Sequence, residues 1–216
     1  MRKGSTLACA ALLTLSCTGG SRAQDRSGVF DFYVLALSWS PTWCVTEGQV
    51  SGSDQCSEAA GHGFIVHGLW PQHERGYPEF CATAEPQRVP QGLAADMLDL
   101  MPDRNLVFGQ WRKHGTCTGL TQSGYFETIR SAAALVTIPE EFLGLERQGS
   151  VSAEEVENAF LAANPRMQAD GIAVSCEAGL MEEVRICMTR DLSFRDCDEV
   201  DRRGCRQSGL RIPAPG

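Results

Sequence analysis

Ten cysteines are spread along 216 residues, and their placement constrains the fold more than any other feature. Cys9 and Cys17 lie in an N-terminal stretch, Met1 to Ala23, that reads as a secretory signal. Arg2 and Lys3 begin it, Leu7 to Leu15 form a short apolar run, and Ser21-Arg22-Ala23 puts small residues at the −3 and −1 positions of a cleavage site. Lipid attachment at Cys17 is the weaker reading, because Thr14 sits where a leucine is usually wanted. Cleavage after Ala23 leaves eight cysteines. An even number in an exported chain predicts disulfides and an oxidising compartment, periplasmic or extracellular. No C-x-x-C spacing occurs, which argues against a zinc ribbon or a thioredoxin-like redox pair. Spacing alone leaves the pairing open.

The remaining chain, 24–216, is long enough to bury a core of ordinary size and short enough to be one domain. No apolar run approaches the roughly 20 residues of a membrane span. Loss of the signal leaves 16 basic against 27 acidic residues, a net charge of −11. That balance argues against a protein that coats nucleic acid by counterion release, yet allows an enzyme that holds one or two nucleotides in a pocket.

Phe30 to Leu37 is aromatic and β-branched and predicts a buried strand. Residues 40–62 read as a loop, and Phe64 to His67 as a second short strand ending at Gly68. After a turn-rich stretch to residue 91, helices are expected over 93–100 (stopped by Pro102), from an Asn105 cap through about Gly115, and over 125–136. Ser152 with Glu155 forms a capping box before a further helix carrying Val156 and Phe160. Strands return at 172–176 and at 184–188, where apolar and polar residues alternate. Strands at both ends with helices between them predict an α+β fold: a central antiparallel sheet with helices packed on it.

Four histidines remain after cleavage. His62 and His73 stand among polar loop residues and read as ordinary solvated side chains; His67 and His114 have more specific surroundings. On a helix, Gln110 and His114 share a face, with Lys113 beside them and Trp111 turned elsewhere, toward the core. Lys113 is the sole lysine of the mature chain, against 15 arginines. An imidazole changes charge near neutral pH, so one can accept a proton while the other donates one. A cation alongside can oppose charge gathering on non-bridging phosphate oxygens. These residues suit attack of a ribose 2′-hydroxyl on its own phosphodiester, with no metal required. Ester hydrolysis by a serine is less well served, because no G-x-S-x-G elbow occurs, and H-E-x-x-H is absent too.

Phe64-Ile65-Val66-His67-Gly68-Leu69-Trp70-Pro71 and, about 45 residues on, Trp111-Arg112-Lys113-His114-Gly115-Thr116-Cys117 resemble the two active-site segments of the ribonuclease T2 family. Leu35 to Cys44, Cys81, Tyr125-Phe126 and Cys176, Cys187, Cys197 and Cys205 fall in that family's order, so the resemblance covers nearly the whole mature chain. It implies a monomeric endoribonuclease acting on single-stranded RNA, without DNA as a partner and without a cofactor or metal. The product is a 2′,3′-cyclic phosphate, hydrolysed more slowly to a 3′-phosphate. It also implies His114 as base, His67 as acid, Lys113 as stabiliser of the phosphorane, and Trp70 and Gln72 as substrate-contacting residues. The implied disulfides are Cys81–Cys117, Cys176–Cys205, Cys187–Cys197 and Cys44–Cys56.

The chain departs from the family pattern at Gly109-Gln110, where members commonly carry His-Glu. This removes one phosphate ligand and replaces a carboxylate by an amide, so slower turnover or a lower pH optimum is expected. The competing readings are an exported RNA-binding or toxic protein that keeps the fold without turnover, and an exported zinc protein using His67, His114 and cysteines.

Overall fold

Phe32–Trp39, an apolar run with almost no polar interruption, forms strand β1 and is buried along nearly its whole length. It lies between two antiparallel neighbours, β2 (Phe64–Gln72) and β5 (Leu180–Met188), which explains why neither of its faces is polar. The computed structural model describes residues 26–48, 50, 52–57, 61–144 and 148–215. The expected signal segment, with Cys9 and Cys17, lies outside them, and among the described residues no helix is long and apolar enough to cross a membrane.

The sheet runs in the order β2-β1-β5-β6-β3, with β4 (Ile172–Glu177) also paired to β5, β3 at Gly149–Val151 and β6 at Leu210–Ile212. Its long ladders are antiparallel, as expected, but β5 and β6 meet in parallel at Leu180 and Arg211, so the sheet is mixed. The Cys176–Cys205 disulfide and the Arg211 N–H bond to the Gly179 carbonyl, 2.9 Å, tie the C-terminal segment there. Strand β2 does not stop at Gly68 but runs on through Pro71 to Gln72. It tolerates proline because, among the described residues, β2 is the sheet's edge and pairs on one side only.

The helices are α1 (Ser40–Trp43), α2 (Gln91–Ala95), α3 (Arg104–Lys113), α4 (Gln122–Ala134), α5 (Ala153–Ala163) and α6 (Asp198–Arg202). The cap of α3 is Asp103 rather than Asn105: one Asp103 oxygen accepts the Asn105 N–H at 2.6 Å and the other accepts the Ser53 hydroxyl. Thr121 caps α4 and starts it three residues before Tyr125. The expected helix over 93–100 is only α2, followed by turns, and the expected loop at 40–62 contains α1 and further helical turns stapled by Cys44–Cys56. The capping box of Ser152 and Glu155 opens α5. The remaining disulfides are Cys81–Cys117 and Cys187–Cys197.

One face of the sheet supports the main core, where Leu35, Leu37, Val184 and Ile186 meet Trp111, Tyr125, Ile129 and Phe160 from the helices. The other face holds only a small cluster, Phe32, Val34, Cys187 and Cys197, with Trp70 and Val200 against it. The thinly covered face is where the site forms.

Candidate active site

A β-bulge begins the site. Ala36 pairs with Gly68 and Leu37 with Val66, so His67 is the extra residue of β2. Side chains three apart on a regular strand leave opposite faces; the bulge turns His67 to the face of Trp70 instead. The two rings meet edge to face with centres 5.2 Å apart. From β5, Glu183 and Arg185 stand on this face too, opposite Ser38 and Ala36. At Gly68 a β-carbon would collide with the Gln110 side chain, so glycine is what lets α3 approach.

The last turn of α3 supplies the rest. Trp111 is fully buried in the core, its Nε1 donating to the Pro86 carbonyl at 2.9 Å, and this anchors the helix by one face. Gln110, Lys113 and His114 face the sheet or the cavity beside it. Trp70 donates from Nε1 to the Gln110 Oε1 at 2.7 Å, and its ring stacks on His114 with centres 5.3 Å apart and planes 25° from parallel. Trp70 thus stands between the two imidazoles, each in contact with it. Lys113 Nζ lies 3.7 Å from a Glu79 carboxylate oxygen and 5.8 Å from the centre of the Tyr77 ring.

The two histidines have different electrostatic surroundings. Glu183 is 5% exposed; its Oε1 meets His67 Nδ1 and its Oε2 accepts from Arg185 Nε and Nη2 at 3.1 and 3.0 Å. Burial alone raises the Glu183 carboxyl, but the bonds and charges of His67 and Arg185 outweigh it and hold the group below the ordinary glutamate value. His114 is 5% exposed, and its Nδ1 makes no hydrogen bond to a described residue. Burial first, then the charges of Lys113 and His67, push its imidazole down to about 3, against a smaller opposing effect of Glu183.

A cavity of about 650 Å³ takes in His67, Trp70, Gln72, Gln110, Lys113 and His114 together. All six residues singled out in the sequence for catalysis or substrate contact therefore line one space. His73, read as an ordinary loop residue, lines it as well, whereas His62 does not. Sequence reasoning missed Glu183 and Arg185, and the exposed aromatics Tyr77 and Phe80 on the same cavity. The signal for the first pair is an acid followed two residues later by a base inside an otherwise buried strand. Gly109 lines the cavity with no heavy atom within 4 Å of a would-be β-carbon, so its rim is open where the family commonly places histidine. Among the described residues, no three or more His, Cys, Asp or Glu converge on a possible metal position.

A model of the Ribonuclease T2 family matches residues 30–197, most of the chain and every residue of this cavity up to β5. The chain belongs to the Ribonuclease T2 family. A ribonuclease of Aeromonas hydrophila is 41% identical over 106 residues, 49% of this chain and 46% of that protein. Ribonuclease I of Escherichia coli is 25% identical over 232 residues, 88% of this chain and 87% of that one. The match to the Aeromonas protein thus spans about half of its length. A solved structure of an RNase-related protein from Calystegia sepium superposes with a TM-score of 0.68 at 22% identity, covering 87% of this chain and 98% of that one, and shows the shared T2 fold.

Proposed function

We propose that this chain is an exported, monomeric endoribonuclease that cleaves single-stranded RNA by transphosphorylation. The observation that carries the reading is the grouping of His67, His114 and Lys113 around Trp70 in one cavity. His114, kept neutral by burial, removes the proton of a ribose 2′-hydroxyl. The 2′-oxygen attacks its own phosphorus while Lys113 faces the charge gathering on the non-bridging oxygens. His67 hands a proton to the departing 5′-oxygen, leaving a 2′,3′-cyclic phosphate. Hydrolysis runs the same transfers in reverse, with water in place of the leaving group, and ends in a 3′-phosphate. A phosphodiester seated in the cavity brings negative charge that opposes the depression of His114, so this base strengthens when substrate is bound.

DNA lacks the attacking hydroxyl and is not a substrate. A second cavity of about 260 Å³, lined by Ser38, Ile65, Asp103 and Leu106, shares His67 with the first. Two spaces meeting at His67 suit two nucleotides on either side of a scissile phosphate. Residues 24–216 act as one catalytic domain, and the four disulfides fit an oxidising compartment, periplasmic or extracellular. Acid, base and cation all come from side chains, so the reaction needs no metal.

Incubation of the purified protein with a dinucleoside phosphate in excess chelator tests this. A 2′,3′-cyclic product followed by a 3′-phosphate is expected. RNA that is bound and left whole would support a non-catalytic RNA-binding protein instead, and cleavage lost in chelator would support a metal-dependent enzyme.

A further inference from the structure

A carboxylate is expensive to bury, and Glu183 is buried inside a sheet strand. Arg185, two residues along the same strand, is sufficient to neutralise it, and it engages only Oε2. The other oxygen is aimed at His67, a residue 116 positions away in sequence. Register fixes this meeting: Glu183 stands opposite Ser38 on β1, two residues beyond the Ala36–Leu37 step where the bulge displaces His67. Without the extra residue His67 would face the core side. The bulge and the buried acid thus meet at one ring nitrogen.

We infer that Glu183 is a positioning residue for His67: it fixes the proton on Nδ1, holds the ring's rotation, and leaves Nε2 to serve the leaving oxygen. Arg185 in turn holds the carboxylate and lies 5.6 Å from the centre of the Trp70 ring, so carboxylate, imidazole and indole are joined in one chain of contacts. The charged and titratable groups around His67 include Glu182, Glu183 and Arg185 on β5, Lys113 and His114 at the end of α3, and Asp103 across the smaller cavity. Of these, Glu183 alone forms a bond or ion pair with the ring among the described residues. A carboxylate behind a histidine selects its tautomer and opposes the charge of its imidazolium, which is what a proton donor to an alkoxide requires. The inference rests on the nuclease reading for its catalytic consequence, though not for the tautomer.

The test uses Glu183→Gln and the double variant Glu183→Gln/Arg185→Gln, the second leaving no buried ion without its partner. On a dinucleoside phosphate, kcat is expected to fall about 10- to 100-fold with KM little changed, less than loss of the acid itself. On uridine 3′-(4-nitrophenyl phosphate), whose phenolate departs without a proton, the loss should shrink to a few-fold. Nitrogen-15 NMR of the wild-type protein, at a pH where the His67 ring is neutral, should show its single proton on Nδ1, and that signature should change in the variants. Equal losses on both substrates, or a bare Nδ1 in the wild type, would overturn the inference. A wild-type protein that cleaves neither substrate yet shows the Nδ1 proton would defeat the nuclease reading and leave the positioning role standing.

Discussion

His67 and His114 are one kind of side chain on two sides of the same indole, and their settings are opposite. His67 is a third exposed, displaced from its strand by a bulge and held at Nδ1 by a buried carboxylate. His114 is buried at the end of a helix with a cation beside it and no hydrogen bond at Nδ1 from any described residue. Sheet and helix thus give two imidazoles unlike environments, which is what the proposed division into acid and base requires. The difference comes from architecture: an edge strand can bulge, and a helix end packed into a sheet brings its last side chain indoors.

The most severe way to break this asymmetry is to delete either ring. His67→Phe and His114→Phe should each cost about 10²- to 10⁴-fold in cleavage of RNA. A rate assay on homopolymer RNA measures it, and a His67→Phe variant that keeps most of its activity would remove His67 from the reacting pair.

A smaller effect, on stability, separates the two environments without any substrate. The ordinary histidine value is about 6.5 and that of His114 in the fold is about 3, so below the ordinary value the unfolded chain takes up a proton that the folded chain refuses. Stability should therefore fall as pH drops from about 6.5 toward 4, by an amount on the order of a few kcal/mol. Glu183, lowered in the fold, adds a loss at still lower pH, whereas Glu157 and Glu182, both raised chiefly by burial, act in the opposite sense. Comparing urea unfolding of the wild type and His114→Phe isolates the histidine. The variant's stability should depend less on pH in that window, and two parallel curves would show that His114 is not held neutral by the fold.

The mildest change is Gln110→Glu. The Gln110 oxygen already receives the Trp70 N–H, and a carboxylate can receive it equally. The added negative charge beside His114 should raise that imidazole and move the acidic limb of the pH–rate profile upward, with a few-fold change in maximal rate. If neither limb moves, residue 110 acts only as the support of Trp70.

Much of the fold could be read from patterns that work locally. The apolar run of β1 and the capping box of α5 are written in short stretches of sequence; the box lies where expected and the strand two residues later than expected, at Phe32–Trp39. The misplaced boundaries came from competition at a distance. Asp103 beats Asn105 as a cap because the Ser53 hydroxyl braces it, and β2 outruns Gly68 because an edge strand accepts Pro71. The brief parallel pairing of β6 follows from a disulfide and a returning chain, neither of which has a periodic signature. At the site, His67, Lys113 and His114 stood out by motif and by the rarity of lysine. Glu183 did not, because its partner lies 116 residues away and the bulge that joins them exists only once β1 and β2 are paired.

The division of labour between the two rings is tested most directly by changing how well the leaving group departs. Cleavage of a dinucleoside phosphate and of uridine 3′-(4-nitrophenyl phosphate) should be timed side by side for His67→Phe and His114→Phe. His67→Phe should recover most of its lost rate on the nitrophenyl ester, and His114→Phe should stay slow on both. Recovery by His114→Phe with none by His67→Phe would reverse the roles, and equal behaviour of the two variants would contradict the asymmetry itself.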